Sequence, residues 1–421
     1  MKYKKIDLGS YNLHLINTDK FKTVTVRINF KRKVKKSDLT KSSLLSKVLL
    51  QSNKNYKSNR LLEIKTQDLY GLSVNTSTYI SGNFSIFRIS STFLNDKYTE
   101  KDQVKKSLDF IFELLFEPDI ENNKFCKEPF NLAFESLKQE LESQKENPRF
   151  YSNLRADEET DKKASYSFNA IGYIEDLEHI DEKSLYDYYE SMLKSDCVDI
   201  FVIGDINEDE IKQEFSKKFK IKTIKKPLGT HFLEHKTYRK RTKIVIEKMH
   251  FEQSNLIINF KLDKLNDFEK KYVMRVYEFL LGGGPNSKLF KEVREKNSLC
   301  YSINASYSPV NNIMKIRAGI NKEAFKKCLN LIKKQVKKME KGDFKEEDIE
   351  AAITTYISAY ESITDSQNSI INSYESHEYL DFDLVEERIK NIKKVNKSMV
   401  VDIVKKIHID TVYLLEGDTD E

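Results

Sequence analysis

The feature that most constrains the fold is a duplication of the two halves of the chain. Each half closes with a helical pattern, then an apolar strand, then a Gly-Asp pair. In the first half these features are residues 182–194, residues 198–203 and Gly204-Asp205; in the second they are residues 398–407, residues 411–415 and Gly417-Asp418. The pairs are separated by about half of the 421-residue chain. A repeat this long indicates two copies of one domain rather than a solenoid of short units.

Each half also opens with two strand-like segments. They lie at residues 11–16 and 23–30 in the first half, and at 243–247 and 255–260 in the second. Long segments of helical period separate the strands, which argues against an all-β sandwich. We therefore predict an α+β fold of two homologous domains, each a mostly antiparallel sheet backed by helices. The domains are predicted at residues 1–222 and 243–421, with a charged linker at 223–242.

Composition excludes several classes of protein. The net charge of +6 comes from 72 basic and 66 acidic residues mixed along the chain. Because no basic block is interleaved with aromatic residues, we expect no nucleic-acid partner. No apolar run approaches membrane-spanning length and the start lacks the apolar core of a signal peptide, so we expect no membrane partner and a cytoplasmic location.

Residues His231 to His235 spell H-x-x-E-H inside the predicted linker. On a helix, His231 and His235 would share one face and could bind zinc, with Glu234 as general base. A proline and a glycine precede the motif and a Lys/Arg-rich run follows, so any helix would be a turn or two long. No pattern supplies a third ligand. We interpret the motif as a decoy, with a self-sufficient zinc peptidase as the alternative.

Periodicity locates three further elements. Residues 43–51 form a helical pattern with Ser43, Ser46 and Lys47 on its polar face. A second helical stripe begins at Phe130, and Glu135 projects beside it. Residues 71–78 change to period two with β-favouring residues, which predicts a strand.

The sharpest resemblance to a known family lies in residues 280–301, which read LLGGGPNSKLFKEVREKNSLCY. This stretch resembles the second-domain signature of the insulinase (pitrilysin-like) metallopeptidase superfamily, and the similarity runs nearly end to end. The resemblance implies a clamshell of two domains in which Arg294 and Tyr301 reach across to the scissile region of a substrate. The alternative is that Arg294 ends a solvated helix and Tyr301 is a structural strand residue.

The chemistry of the first domain departs from the family. By the resemblance, Ser43 and Lys47 stand where two zinc-binding histidines belong, Ser46 replaces the catalytic glutamate, and Glu135 matches the third ligand. Serine is a poor zinc ligand, and an ammonium group repels a cation. We therefore expect a degenerate zinc site and no metal or other cofactor bound by this chain.

The resemblance implies a non-peptidase subunit of a heterodimer. Zinc is expected in a paralogous peptidase subunit, the partner, while this chain binds a peptide or small protein substrate along an edge at Asn75 and Thr76. The chain is most similar to the bacterial branch named for association with elongation factor P 5-aminopentanol modification. A structural scaffold subunit with no peptide role is the other alternative.

Overall fold

The computed structural model describes residues 1–221, 229–235 and 238–417, and in these the chain forms two compact units. Unit 1 contains the described residues of Met1–Ser143, Asn169–Thr230 and Gln367–Ile371; unit 2 contains those of Gln144–Phe168, His231–Ser366 and Asn372–Glu421. The predicted domains differ from these units in two exchanged segments, 144–168 and 367–371. Residues 222–228 and 236–237 of the boundary region, and Asp418 of the second Gly-Asp pair, lie outside the described residues.

Unit 1 is built on a six-stranded sheet and a short hairpin of β6 and β7. The strands are β1 (Lys2–Asp7), β2 (Tyr11–Asn17), β3 (Thr23–Lys33), β4 (Ser73–Ser81), β5 (Phe84–Leu94), β6 (Ile120–Glu121), β7 (Lys124–Phe125) and β8 (Cys197–Gly204). The helices of this half of the chain are α1 (Lys36–Val48), α2 (Asn59–Asp68), α3 (Gln103–Phe116), α4 (Lys127–Glu146), α5 (Pro148–Thr160), α6 (Ile174–Leu177), α7 (Glu182–Ser195) and α8 (Glu208–Lys218). Of these helices, α5 belongs to unit 2.

Unit 2 is built on a five-stranded sheet. Its strands are β9 (Lys243–Met249), β10 (Ser254–Leu262), β11 (Ser302–Ser308), β12 (Ile313–Ile320) and β13 (Ile407–Gly417). The helices of this half of the chain are α9 (Met274–Gly282), α10 (Phe325–Glu340), α11 (Glu346–Glu361), α12 (Gln367–Leu380), α13 (Val385–Ile392) and α14 (Lys397–Val404). The start of α12, Gln367–Ile371, belongs to unit 1. Helix α9 continues a π-helical turn at Glu269–Val273, and a second π-helical turn spans Phe290–Glu295.

The two sheets share one strand order. Unit 1 has the order β1-β2-β8-β3-β5-β4, and unit 2 has β9-β13-β10-β12-β11. In each sheet the first and last strands of the repeat pair in parallel, β2 with β8 and β9 with β13, and every other described pair is antiparallel. The predicted α+β class of two homologous, mostly antiparallel sheets backed by helices is therefore confirmed. Strand β1 is an addition to unit 1.

The central strands are buried because both faces of each sheet are covered. In unit 2, one face carries Leu256, Ile258 and Leu414, which join an apolar core with residues of α9, α10 and α14. The opposite face carries Ile257 and Tyr413, which pack with residues of α5. Strand β10 is buried along its whole length as a result.

Helix α5 comes from the first half of the sequence but packs on the sheet of unit 2. Asn147 caps its N-terminus by accepting hydrogen bonds from the backbone N–H groups of Arg149 and Phe150, and Pro148 occupies the first turn. A buried polar cluster fixes the other end: Asn259 on β10 donates to Asp157 at 2.9 Å and to Thr160 at 3.0 Å. The helix is therefore an integral part of unit 2.

Residues 367–371 make the reciprocal exchange and complete unit 1. The Gln367 carboxamide accepts hydrogen bonds from Thr23 at 2.8 Å and Thr25 at 2.9 Å, and donates to the carbonyl oxygen of Ile203 at 3.2 Å. One side chain therefore joins two adjacent strands, β3 and β8. Among the described residues, no helix is both long and apolar enough to cross a membrane.

Candidate functional site

Helix α1 carries the predicted degenerate zinc residues, and its polar face is buried rather than solvated. The hydroxyl groups of Ser43 and Thr78 share a hydrogen bond of 3.0 Å. Thr76 donates to the carbonyl oxygen of Ser46, and the Ser46 hydroxyl donates to the carbonyl oxygen of Ser43 at 2.7 Å. The structure thus brings the degenerate zinc position against β4, and the serine oxygens are engaged in hydrogen bonds within the protein.

Lys47 makes an ion pair where the resemblance places a zinc-binding histidine. Its ammonium nitrogen lies 2.8 Å from a carboxylate oxygen of Glu140 on α4 and 3.3 Å from the hydroxyl of Ser136. The Lys47 side chain is 25% exposed. A cation of the protein therefore already occupies the space between α1 and α4, and a metal ion there would be repelled.

The carboxylate that the structure brings to Lys47 is that of Glu140. Glu135 is exposed and lies one residue before Ser136, so its side chain is rotated by about 100° around the helix from that of Ser136. Its assignment as the third position of the degenerate site stays a prediction. Sequence reasoning missed Glu140 because the spacing of residues along α4 does not show which side of that helix faces α1.

Residues 231–235, the H-x-x-E-H motif, are not helical. The backbone N–H of Leu233 donates to the carbonyl oxygen of Val310 at 2.8 Å, which fastens the segment to the turn between β11 and β12. Because the segment lacks a helical backbone, the spacing of the two histidines does not place both imidazoles on one helical face.

Both histidines of the motif have structural contacts. His231 is 3% exposed and its ring stacks on Tyr379 at 5.3 Å. The Nε2 atom of His235 lies 3.0 Å from the carbonyl oxygens of Asn311 and Asn312, so it acts as a hydrogen-bond donor. Burial, and then the nearby Lys261, lower the pKa of His235.

Glu234 is exposed. Within residues 1–221, 229–235 and 238–417, no group of three or more His, Cys, Asp or Glu side chains is placed to hold a metal. The motif is not helical, and at the degenerate position on α1 Lys47 brings a positive charge of its own, so neither set of residues fits a zinc ion; the decoy interpretation stays a prediction.

Strand β4 offers an open edge at the predicted peptide-binding position. It pairs with β5 on one side, and it stands last in the strand order of its sheet. Asn75 is exposed, whereas Thr76 points toward α1, as alternation along a strand requires. An edge of this kind presents backbone N–H and C=O groups to which an extended peptide can add.

The glycine-rich turn before Arg294 allows a close approach of backbone segments. A Cβ atom on Gly282 would lie 2.5 Å from the backbone nitrogen of Ala305, so a side chain there would separate α9 from β11. Val293 is fully buried and anchors the π-helical turn. The turn then folds back through a hydrogen bond from the Ser298 backbone to the Arg294 carbonyl oxygen at 3.0 Å.

Arg294 and Tyr301 are both exposed side chains of unit 2. The Arg294 guanidinium lies 4.6 Å from the centre of the Phe290 ring, and among the described residues it forms no ion pair. Tyr301 is 61% exposed, and its hydroxyl donates to the side-chain oxygen of Asn321 at 3.1 Å. Its backbone N–H donates to the carbonyl oxygen of Gly319, which fixes the start of β11. The Arg294 guanidinium can donate hydrogen bonds to a molecule outside the unit, and the Tyr301 hydroxyl can do so after it exchanges Asn321 for that molecule.

Comparison with known proteins matches residues 179–356 to the family described as peptidase M16 inactive domain. The chain is 28% identical to the probable inactive metalloprotease YmfF of Bacillus subtilis (strain 168), over 97% of this chain and 96% of that protein. A conserved protein from Enterococcus faecalis V583 has a crystal structure with a TM-score of 0.93 and 27% identity, covering 100% and 99% of the two chains. A peptidase M16 inactive domain structure from Pseudomonas fluorescens has a TM-score of 0.81 at 15% identity, covering 100% of both chains.

Proposed function

From its similarity to the peptidase M16 inactive domain and to a probable inactive metalloprotease, we propose that this chain is an inactive member of the insulinase-like (peptidase M16) superfamily and the non-peptidase subunit of a heterodimeric zinc metallopeptidase. The observation that carries the proposal is the ion pair of Lys47 with Glu140 at the degenerate zinc position. In contrast, the side chains of Arg294 and Tyr301 remain exposed. The chain thus lacks the metal-binding groups of the active family but has two groups that can assist catalysis by a partner.

Arg294 and Tyr301 would act in trans, on a substrate held in the partner's active site. A guanidinium can donate a fork of hydrogen bonds to a substrate carbonyl or carboxylate oxygen. A phenol can donate to the oxyanion that forms when a peptide carbonyl is attacked. Neither role needs a metal in this chain; zinc is expected in the paralogous M16 subunit, with an intact H-x-x-E-H motif.

The open edge of β4 would hold the peptide or small protein substrate. Backbone pairing at Asn75 and Thr76 binds an extended chain with little regard for its side chains, which suits a complex that cleaves many peptides. A cytoplasmic location, and the expectation of no nucleic-acid or membrane partner, stay predictions from the sequence.

Substitution of Arg294 and Tyr301 in the assembled heterodimer tests the catalytic role. Arg294→Ala and Tyr301→Phe should each lower the peptidase rate by about 10²–10³, the usual effect of removing one oxyanion donor. Lys296→Ala, in the same turn, and Tyr98→Phe, another exposed tyrosine, are matched controls that should leave the rate unchanged. Full activity of both test variants, in a complex shown to be assembled by size-exclusion chromatography, would leave the scaffold alternative.

The metal content of the purified chain tests the other half of the proposal. We expect no stoichiometric zinc by elemental analysis and no peptide cleavage by the chain alone. About one zinc per chain, abolished by His231→Ala, would favour the self-sufficient peptidase instead.

A further inference from the structure

Unit 2 contains a groove of about 360 Å³ beside the edge strand β11. Strands β10, β11 and β12 and the start of α5 line it. Its polar lining comprises three carboxamides, two guanidinium groups and a hydroxyl, from Asn153, Asn255, Asn304, Arg149, Arg317 and Ser302. Among the described residues, the lining includes no carboxylate. The groove is therefore polar and cationic, which favours an anionic ligand.

Arg317 is held in place by neutral partners. Its Nε donates to the side-chain oxygen of Asn153 at 2.5 Å, and its Nη1 donates to the hydroxyl of Ser306 at 2.6 Å. Asp157, whose negative charge acts on Arg317, accepts a hydrogen bond from Lys315. Burial lowers the pKa of Arg317, but an arginine side chain stays protonated in proteins. These two bonds orient the Arg317 guanidinium and use Nε and Nη1. Among the described residues, no hydrogen-bond acceptor contacts its Nη2.

Arg149 adds a second cation on the same side of the groove. It lies four residues before Asn153 on α5, so both side chains share one face of the helix. Arg149 is exposed and forms no ion pair within the part of the chain that the structure describes. Since Asn153 holds Arg317, the two guanidinium groups line the groove from adjacent elements, α5 and β12.

Strand β11 holds in unit 2 the position that β4 holds in unit 1. Each is the last strand in the matched strand order, and each pairs on one side with its neighbour. A peptide that adds to β11 would direct every second side chain toward the face of the sheet that carries Arg317.

We propose that this groove binds a carboxylate group of an extended peptide paired with β11. The carboxylate is either the side chain of an aspartate or glutamate or the free C-terminus, because both present the planar pair of oxygens that a guanidinium binds. The inference rests on the proposed function for the identity of the ligand as a peptide, and it adds that acidic peptides are preferred.

Binding of synthetic peptides to the purified full chain tests the preference. Three fluorescein-labelled peptides of equal length would be compared by fluorescence anisotropy: a neutral peptide amide, the same amide with one central glutamate, and the neutral sequence with a free C-terminus. At least one carboxylate peptide should bind about tenfold more tightly than the neutral amide at low salt, and the difference should shrink at about 0.5 M salt. Comparison of the two acidic peptides identifies which carboxylate is recognised.

Variants of the two arginines assign the effect to the groove. Arg149→Glu, at an exposed position, should weaken binding of the preferred acidic peptide about tenfold and leave the neutral amide unchanged. Arg317→Lys should weaken it too, because a lysine cannot reproduce the planar fork. Arg60→Glu, an exposed substitution in unit 1, is the control that should change neither.

Equal affinity for acidic and neutral peptides, no binding of any of the three, or full binding by Arg149→Glu would overturn the inference. None of these results alters the expected effect of Arg294→Ala on the peptidase rate of the complex. Conversely, full activity of the Arg294→Ala complex, together with acid-selective binding by the isolated chain, would leave this groove in place and remove the catalytic role.

Discussion

Removal of Asp157 should destabilise unit 2 selectively, because this carboxylate joins the exchanged helix α5 to the sheet. Asp157 is 6% exposed and accepts hydrogen bonds from Lys315 on β12 and, at 2.9 Å, from Asn259 on β10. In the Asp157→Ala variant, Lys315 would remain buried with its partner missing. Asn259 would keep its bonds to the helix backbone and to Thr160. Most of the cost therefore comes from the uncompensated ammonium group.

Loss of one partner of a buried ion pair costs about 3–5 kcal/mol, and a unit of roughly 200 residues loses about 2–4 °C of Tm per kcal/mol. We thus expect Tm of unit 2 to fall by about 6–20 °C. The double variant Asp157→Leu, Lys315→Met should recover most of the loss, because apolar side chains of similar volume can replace a buried ion pair.

Hydrogen exchange measured by mass spectrometry is the assay, since it reports each unit separately. Peptides from β10 and β12 should lose protection in Asp157→Ala, while peptides from β3 and β8 should not. Asp187→Ala, which breaks an exposed i,i+4 pair with Lys183, is the control and should cost less than about 1 kcal/mol. An Asp157→Ala variant within about 1 kcal/mol of the original protein would refute the role of α5 in unit 2.

Three further outcomes are expected. Burial raises the pKa of Glu247, but hydrogen bonds from Tyr151, Tyr413 and Arg155 outweigh it and bring the pKa below its ordinary value. The carboxylate therefore stabilises the fold above about pH 4.3, and this stabilisation is lost as the pH falls below that value. Glu247→Gln should flatten the dependence of the unfolding free energy on pH in that acidic range. Burial raises the pKa of Cys300 to about 11 and of Cys328 to about 12, so alkylation at about pH 8 should spare both thiols until the chain unfolds. Lys47→Ala should cost at most about 1 kcal/mol in a denaturant titration, because the Lys47–Glu140 pair is partly exposed; a larger cost would show that the ion pair holds α1 and α4 together.

Local periodicity was sufficient to predict the strands that open and close each half of the chain, and several helices. The predicted strands at residues 11–16, 23–30, 243–247 and 255–260 are β2, β3, β9 and β10, each extended by one to three residues. These segments can be recognised because apolar, aromatic or β-branched residues recur along each of them. The duplication predicts that the two copies share one topology, but the strand order itself is known only from the structure.

The exchange of α5 could not be predicted in the same way. Its own sequence gives a capped helix, but its place on the unit 2 sheet depends on Asn259 and Lys315, more than 90 residues further along the chain. For a similar reason, the pairing of Lys47 with Glu140 rather than Glu135 depends on how two helices pack. Long-range contacts of this kind leave no periodic signal in a single sequence.

The most direct test of the central claim is a titration of a zinc-bearing M16 subunit with this chain, followed by peptide cleavage. The subunit would be a paralogous chain with an intact H-x-x-E-H motif, and the cleavage rate of a fluorogenic peptide would be measured at each ratio. The proposal predicts negligible cleavage by this chain alone and a rate that rises to a plateau at equimolar mixture, with the Arg294→Ala chain assembling but giving a far lower plateau. Full activity of the zinc-bearing subunit without this chain, or an equal plateau with Arg294→Ala, would contradict it.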